Sequence, residues 1–161
     1  MMFPFLLIPL AAFGLAFLLT PLTMRVARRW GVVQDPRRER DIHQKSIPRM
    51  GGVAMGVAFL AAALLSRTMP IPFLDPHEAT RLQGLLLGAT IMLLFGVIDD
   101  RWELPPWPQF AVQFLVAAIA IYHLIIIERF NDPFTNSQID HLPWWIIVPI
   151  TTFWFLGTIT T

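Results

Sequence analysis

Five apolar blocks without a single Asp, Glu, Lys or Arg occupy more than half of this 161-residue chain and leave few folds open to it. They run from about 3 to 24, 51 to 66, 82 to 98, 110 to 127 and 144 to 161. A helix rises ~1.5 Å per residue and a bilayer core is ~30 Å thick, so each block approaches the length of a membrane span. Composition agrees, with 55% of residues hydrophobic and only 14% charged. A soluble domain of this size needs more polar surface to stay dispersed. The expected fold is an all-α, polytopic transmembrane helical bundle. The second and third blocks are short and are expected to draw on flanking residues such as Met69 to Leu74. The first block has no basic residue before it and is followed by Arg25, Arg28 and Arg29, the pattern of a retained helix rather than a signal peptide.

Orientation is read from where the basic residues fall, not from the net charge of +1. Eight of the twelve Lys and Arg residues lie between Arg25 and Arg49, and Arg101 follows the third block. The other loops hold Arg67, Arg81 and Arg129. The positive-inside rule then places the N-terminus outside and the loops around His43 and Arg101 in the cytoplasm. Those two loops are separated by two spans, so they share a side. Trp30, Trp102, Trp107, Trp144 and Trp145 stand near the expected span ends, where interfacial aromatics collect. Gly84, Gly88 and Gly96, and likewise Gly52 and Gly56, recur at helical spacing and are expected to form helix-packing faces. The absence of cysteine excludes disulfides and thiolate metal sites. No Walker loop or dinucleotide glycine fingerprint occurs, and no nucleic-acid partner is expected.

Two stretches carry chemistry. The first, DPRRERDIHQKSIPRMGG, spans Asp35 to Gly52. Asp35-Pro36 favours a turn, and the chain is expected to stay irregular until the second helix begins. Gly51 and Gly52 let backbone N–H groups approach an anion at a helix N-terminus, and His43, Lys45 and Arg49 add cationic donors. Arg25, Arg28 and Arg29 read instead as topology determinants that meet acidic head groups. The second stretch closes an apolar run, GLLLGATIMLLFGVIDD, with Asp99 and Asp100. One aspartate at a helix C-terminus is an ordinary solvated end that opposes the helix dipole. Two in succession where an apolar helix meets the membrane boundary point to function. Gln113 faces either a helix neighbour or the site. His123 reads as an interhelical hydrogen-bonding residue, and His77 and His141 as loop residues without a role.

The run DIHQKSIPRMGG followed by GVIDD at 96–100 resembles the polyprenyl-phosphate N-acetylhexosamine-1-phosphate transferases, a branch of glycosyltransferase family 4. The PRMGG form is more similar to members that transfer N-acetylglucosamine-1-phosphate for teichoic acid, O-antigen (lipopolysaccharide) or related polymers. The peptidoglycan branch, the phospho-N-acetylmuramoyl-pentapeptide transferases, usually has threonine where Arg49 stands and is the alternative. The resemblance implies attack by undecaprenyl phosphate on the sugar-linked phosphorus of UDP-N-acetylglucosamine, with UMP leaving. It implies Mg²⁺, with Mn²⁺ as a substitute, and a bacterial inner-membrane enzyme with a cytoplasmic site; it also admits a homodimer. His43, Lys45, Arg49, Gly51 and Gly52 would bind phosphate. Asp99 and Asp100 would act as metal contacts, as proton acceptor from the lipid phosphate, or as a covalent nucleophile. Such enzymes have about ten membrane helices, so residues 1–161 are expected to be the N-terminal half of one integral-membrane transferase domain. By itself that half is expected to lack transfer activity and to expose the glycine faces to partner helices. A cation transporter or channel half is the competing reading; its carboxylates would sit near span midpoints. A purely structural membrane subunit leaves the HQKSIPRMGG segment unexplained.

Overall fold

The computed structural model describes residues 3–34, 47–48, 50–69, 75–131, 138–139 and 142–160. Five helices carry the fold: α1 (Phe3–Arg29), α2 (Gly51–Ser66), α3 (Glu78–Trp102), α4 (Pro106–Tyr122) and α5 (Trp144–Thr160). Two minimal antiparallel ladders accompany them, β1 (Val33–Gln34) with β2 (Ile47–Pro48) and β3 (Phe130–Asn131) with β4 (Gln138–Ile139). The fold is all-α. The β1–β2 pairing corrects the expectation of irregular chain up to the second helix, because Ile47 and Pro48 pair with Gln34 and Val33.

Among the described residues two helices are long and apolar enough to cross a membrane: Leu6–Arg29, with a mean hydropathy of 2.1, and Glu78–Trp102, at 1.9. The other three are apolar but run to 16 or 17 residues. The packing is inverted relative to a soluble protein. The buried apolar residues are mostly small, including Ala27, Ala54, Ala58, Ala62, Ala117 and Ala120. Phe13, Phe17, Trp145, Phe153 and Trp154 instead point outward, each at least 65% exposed. Small residues let helices approach closely, while large apolar side chains on the outside suit hydrocarbon rather than water. This is the construction of a membrane protein.

The contacts divide the chain into two compact units, and α3 contributes to both. The first comprises Met1–Pro72 and Leu93–Leu104. Within it α1 packs along α2, and Ala27, Val32 and Met50 form a buried cluster flanked by Val26, Val53 and Val97. α1 stops because Gly31 adopts φ +69°, which few side-chain-bearing residues tolerate. The Val32 N–H then donates to the Ala27 carbonyl at 2.9 Å and the Gly31 N–H to Arg28 at 3.4 Å, closing a Schellman cap. Among the described residues a Cβ at Gly31 would meet nothing within 4 Å, so replacing it tests conformation. Gly31→Ala is expected to cost about 1–2 kcal/mol, read as a lower melting temperature in detergent, and Gly31→Asn less.

The second unit comprises Phe73–Met92 and Pro105–Thr161. Here α4 packs on α5, and α3 presents Gly84 and Gly88, both buried. A Cβ on Gly84 would lie 2.4 Å from the His123 Cβ, and one on Gly88 would lie 3.3 Å from a Val116 methyl. The expectation that Gly84, Gly88 and Gly96 form one face awaiting absent helices is thereby corrected. Gly84 and Gly88 are covered by this chain itself, and Gly96 has open space where a Cβ would stand. Likewise, Gly56 meets the Leu93 side chain while Gly52 meets nothing.

Helix limits also depart from the apolar blocks. The fourth block suggested 110–127, yet α4 starts at Pro106 and ends at Tyr122. Pro106 is at the first helical position, where its missing N–H is harmless. At the other end Leu124 takes φ +60°, and the Ile125 N–H reaches back to the Ala120 carbonyl at 2.9 Å. The freed strand is then held to α5, where buried Thr151 accepts the Ile127 N–H at 3.1 Å. Arg81, expected in a loop, lies in the first turn of α3. Its guanidinium reaches Asp75 at 2.8 Å and Glu128 at 2.5 Å, tying the segment after α4 to the start of α3. Asp75 also accepts the His77 N–H at 2.8 Å, so these residues shape the helix entry.

Candidate active site

Asp99 and Asp100 occupy the last turn of α3, inside the helix rather than beyond it, and both are half-buried. The way α3 ends involves Asp99 directly. Glu103 turns to φ +46° and its N–H donates to the Asp99 carbonyl at 2.8 Å. The next amide, Leu104 N–H, donates to Asp99 Oδ1 at 3.2 Å. A carbonyl in the preceding turn commonly takes that bond in a Schellman cap. Here a side-chain carboxylate takes it, so the cap also fixes the rotamer of Asp99. Pro105 and Pro106 follow and prevent helix continuation at that point.

Gly51 and Gly52 open α2, both exposed, with nothing among the described residues within 4 Å of where a Cβ would stand. Met50 is the N-cap residue of this helix and its side chain makes no capping hydrogen bond. The first amides of a helix have no carbonyl partner within it, and the dipole there favours an anion. Val97 packs against the cluster that holds Met50 and lines one cavity with it, and the start of α2 therefore lies at the same end of the first unit as the last turns of α3. Gly51, Gly52, Asp99 and Asp100 are thus gathered at one end of that unit. His43, Lys45 and Arg49 lie outside the described residues. Arg25, Arg28 and Arg29 are exposed near the end of α1.

Gln113 is 7% exposed, on the face of α4 that also carries buried Val116, Ala117 and Ala120. His123 caps α4; its Nδ1 lies 2.8 Å from the Ile119 carbonyl, and its Cβ is the group that crowds Gly84. Its contact with α3 is steric, and the hydrogen bond stays within its own helix. No cluster of three or more His, Cys, Asp or Glu occurs among the described residues. Mg²⁺ needs none, since it commonly takes one or two carboxylates and fills its remaining positions with water and phosphate oxygens. Two adjacent carboxylates of hard oxygen character fit that demand.

A profile described as "Glycosyl transferase family 4" matches residues 82–161, the part of the chain that contains Asp99 and Asp100. The chain belongs to glycosyl transferase family 4. Within this family it is 29% identical over 140 residues to a probable undecaprenyl-phosphate N-acetylglucosaminyl 1-phosphate transferase of Bacillus subtilis, covering 87% of this chain and 36% of that protein. It is 32% identical over 115 residues to the decaprenyl-phosphate N-acetylglucosaminephosphotransferase of Mycolicibacterium smegmatis, covering 71% of this chain and 28% of the relative. A third family relative, the undecaprenyl-phosphate alpha-N-acetylglucosaminyl 1-phosphate transferase of Pasteurella multocida, is 34% identical over 119 residues, 72% of this chain and 30% of its own length. The chain spans about a third of the length of these relatives. No solved structure gives a significant match to it.

Two features of the candidate site were not legible in the sequence. The Leu104 amide bond to Asp99 depends on a left-handed Glu103, which no glycine announces. Arg101, counted only as a topology charge, lines a cavity with Trp30, Val32, Met50, Val97, Ile98 and Trp102. The spacing of Val97, Ile98, Arg101 and Trp102 puts them on one side of a helix, and that pattern was the available signal.

Proposed function

We propose that this chain is part of an enzyme that transfers N-acetylglucosamine-1-phosphate from UDP-N-acetylglucosamine to undecaprenyl phosphate, releasing UMP at the first membrane step of cell-envelope polysaccharide synthesis. The observation that carries the reading is the acid pair on the last turn of α3, at the end of the unit where α2 starts, in a family whose relatives are named as polyprenyl-phosphate N-acetylglucosamine-phosphate transferases. The reaction brings two anions together, so charge neutralisation and positioning supply most of the catalysis. Asp99, held by the Leu104 amide, and Asp100 would hold Mg²⁺. When bound, such an ion polarises phosphoryl oxygens and offsets developing negative charge. The amides of Gly51 and Gly52, with His43, Lys45 and Arg49, would bind phosphate oxygens.

The test is UMP release by a full-length protein containing these residues, supplied with UDP-N-acetylglucosamine, undecaprenyl phosphate and Mg²⁺. Turnover that stops on EDTA addition and returns with Mg²⁺ or Mn²⁺ is expected. Release only with UDP-N-acetylmuramoyl-pentapeptide would move the chain to the peptidoglycan branch.

The site belongs at the cytoplasmic face of a bacterial inner membrane, with the N-terminus outside. The chain has no cysteine, so single cysteines can be introduced without background. An impermeant thiol reagent applied to intact cells is expected to label Asp75→Cys and Asn136→Cys but not His43→Cys or Arg101→Cys. Labelling at 43 or 101 would reverse the orientation.

A further inference from the structure

Side chains on a helix lean toward its N-terminus, because each Cα–Cβ bond is tilted that way. Asp99 reaches in the other direction. Its Oδ1 accepts the N–H of Leu104 at 3.2 Å, a residue that stands beyond the last turn of α3. The carboxylate is thereby drawn forward to the tip of the helix. That end is unfavourable for a negative charge, since the helix dipole and the adjacent Asp100 both oppose one there. An amide aimed at the carboxylate offsets part of this opposition, and a bond to an ionised acceptor is stronger than one between neutral groups.

The backbone of Glu103 aims that amide. Its φ of +46° is one that few side-chain-bearing residues adopt, and its own N–H closes on the Asp99 carbonyl at 2.8 Å. The next N–H, that of Leu104, then meets the Asp99 carboxylate. Glu103 is exposed, so burial of its side chain is not what holds the left-handed turn. Residues in sparsely populated backbone regions cluster at active sites and ligand clamps. We propose that Glu103 is a positioning residue, whose left-handed turn aims the Leu104 amide at Asp99 and so sets how tightly the acid pair holds a divalent cation. The proposal rests on the transferase reading, in which Asp99 and Asp100 hold Mg²⁺, and adds the main-chain element that orients one of them. The role belongs to the backbone of Glu103 and not to its carboxylate. Groups that orient a metal-binding side chain commonly change cation affinity or activity by ~10–100-fold.

The probe is Mn²⁺, added without substrates to the full-length detergent-solubilised protein. Binding is followed by the electron paramagnetic resonance signal of the free ion. Replacing Leu104 by its α-hydroxy acid analogue, introduced by nonsense suppression, converts the amide to an ester and removes the N–H while keeping every side chain. The ester protein is expected to bind Mn²⁺ about tenfold more weakly or worse. Glu103→Val, whose branched side chain resists positive φ, is expected to lose about tenfold more affinity than Glu103→Gly, which adopts that φ readily. A turn that serves only to end the helix would lower the melting temperature of the ester protein and leave its Mn²⁺ affinity at the parent value. That result would overturn the proposal. Equal losses in Glu103→Gly and Glu103→Val would overturn it as well, by assigning the effect to the missing carboxylate. UMP release is measured on the same preparations. Transfer by the parent with undiminished Mn²⁺ affinity in the ester protein removes the positioning role alone. Mn²⁺ binding that depends on the amide, without transfer by the parent, removes the transferase reading alone.

Discussion

Asparagine at position 99 or 100 is expected to cut UMP release by roughly 10²-fold or more in the full-length protein, with little change in folding. The two substitutions isolate charge from architecture. Asp99→Asn keeps a side-chain oxygen able to accept the Leu104 N–H that now bonds to Asp99 Oδ1 at 3.2 Å, so the end of α3 is retained. It loses the negative charge that holds a divalent cation. Asp99→Ala removes both and is expected to add a stability loss of about 1 kcal/mol. A fall in kcat with unchanged KM for both substrates would locate the effect in the transition state. Near-normal UMP release from either asparagine variant, at matched protein level and saturating Mg²⁺, would reduce that aspartate to a helix-capping residue.

The largest stability effect is expected at Gly84. A Cβ there would stand 2.4 Å from the His123 Cβ and 2.8 Å from its Cγ. Backbone-anchored atoms must move to relieve such a contact, and Gly84→Ala is expected to cost about 1–3 kcal/mol. The clash partner makes the test specific. His123→Ala leaves the Cβ in place and should not rescue Gly84→Ala, whereas His123→Gly should. Melting temperatures in detergent for the two double-mutant cycles would show coupling in the second only. Gly96→Ala is the control, since nothing lies within 4 Å of its Cβ position and alanine favours a helix interior. Equal destabilisation at 84 and 96 would mean that the penalty is not the His123 contact.

Part of the candidate site is legible as residue types. The apolar run ending in Asp99-Asp100 is visible because lipid-facing helices exclude charge, and a carboxylate pair at their end stands out against that background. Gly51-Gly52 after proline is visible because both residues restrict or free the backbone in ways with few structural uses. The stop at Gly31 belongs to the same class. The stops at Glu103 and Leu124 do not, because neither is a residue that favours positive φ. At Glu103 local bonds to Asp99 hold the turn, while beyond Leu124 the Ile127 bond to Thr151 holds the segment.

The sequence by itself determined the class of this protein, its helical content and the identity of the acid pair. These follow from local composition and from the cost of placing charge near hydrocarbon. Only the tertiary structure decided which glycines are packed. Gly84, Gly88 and Gly96 share a pattern, but whether a neighbour arrives depends on where α4 ends and His123 turns. Only the tertiary structure brought Trp30, Met50 and Arg101 around one cavity, since they come from three segments far apart in the chain. Periodicity reports the face of one helix; a site built between helices exists only once their backbones have met.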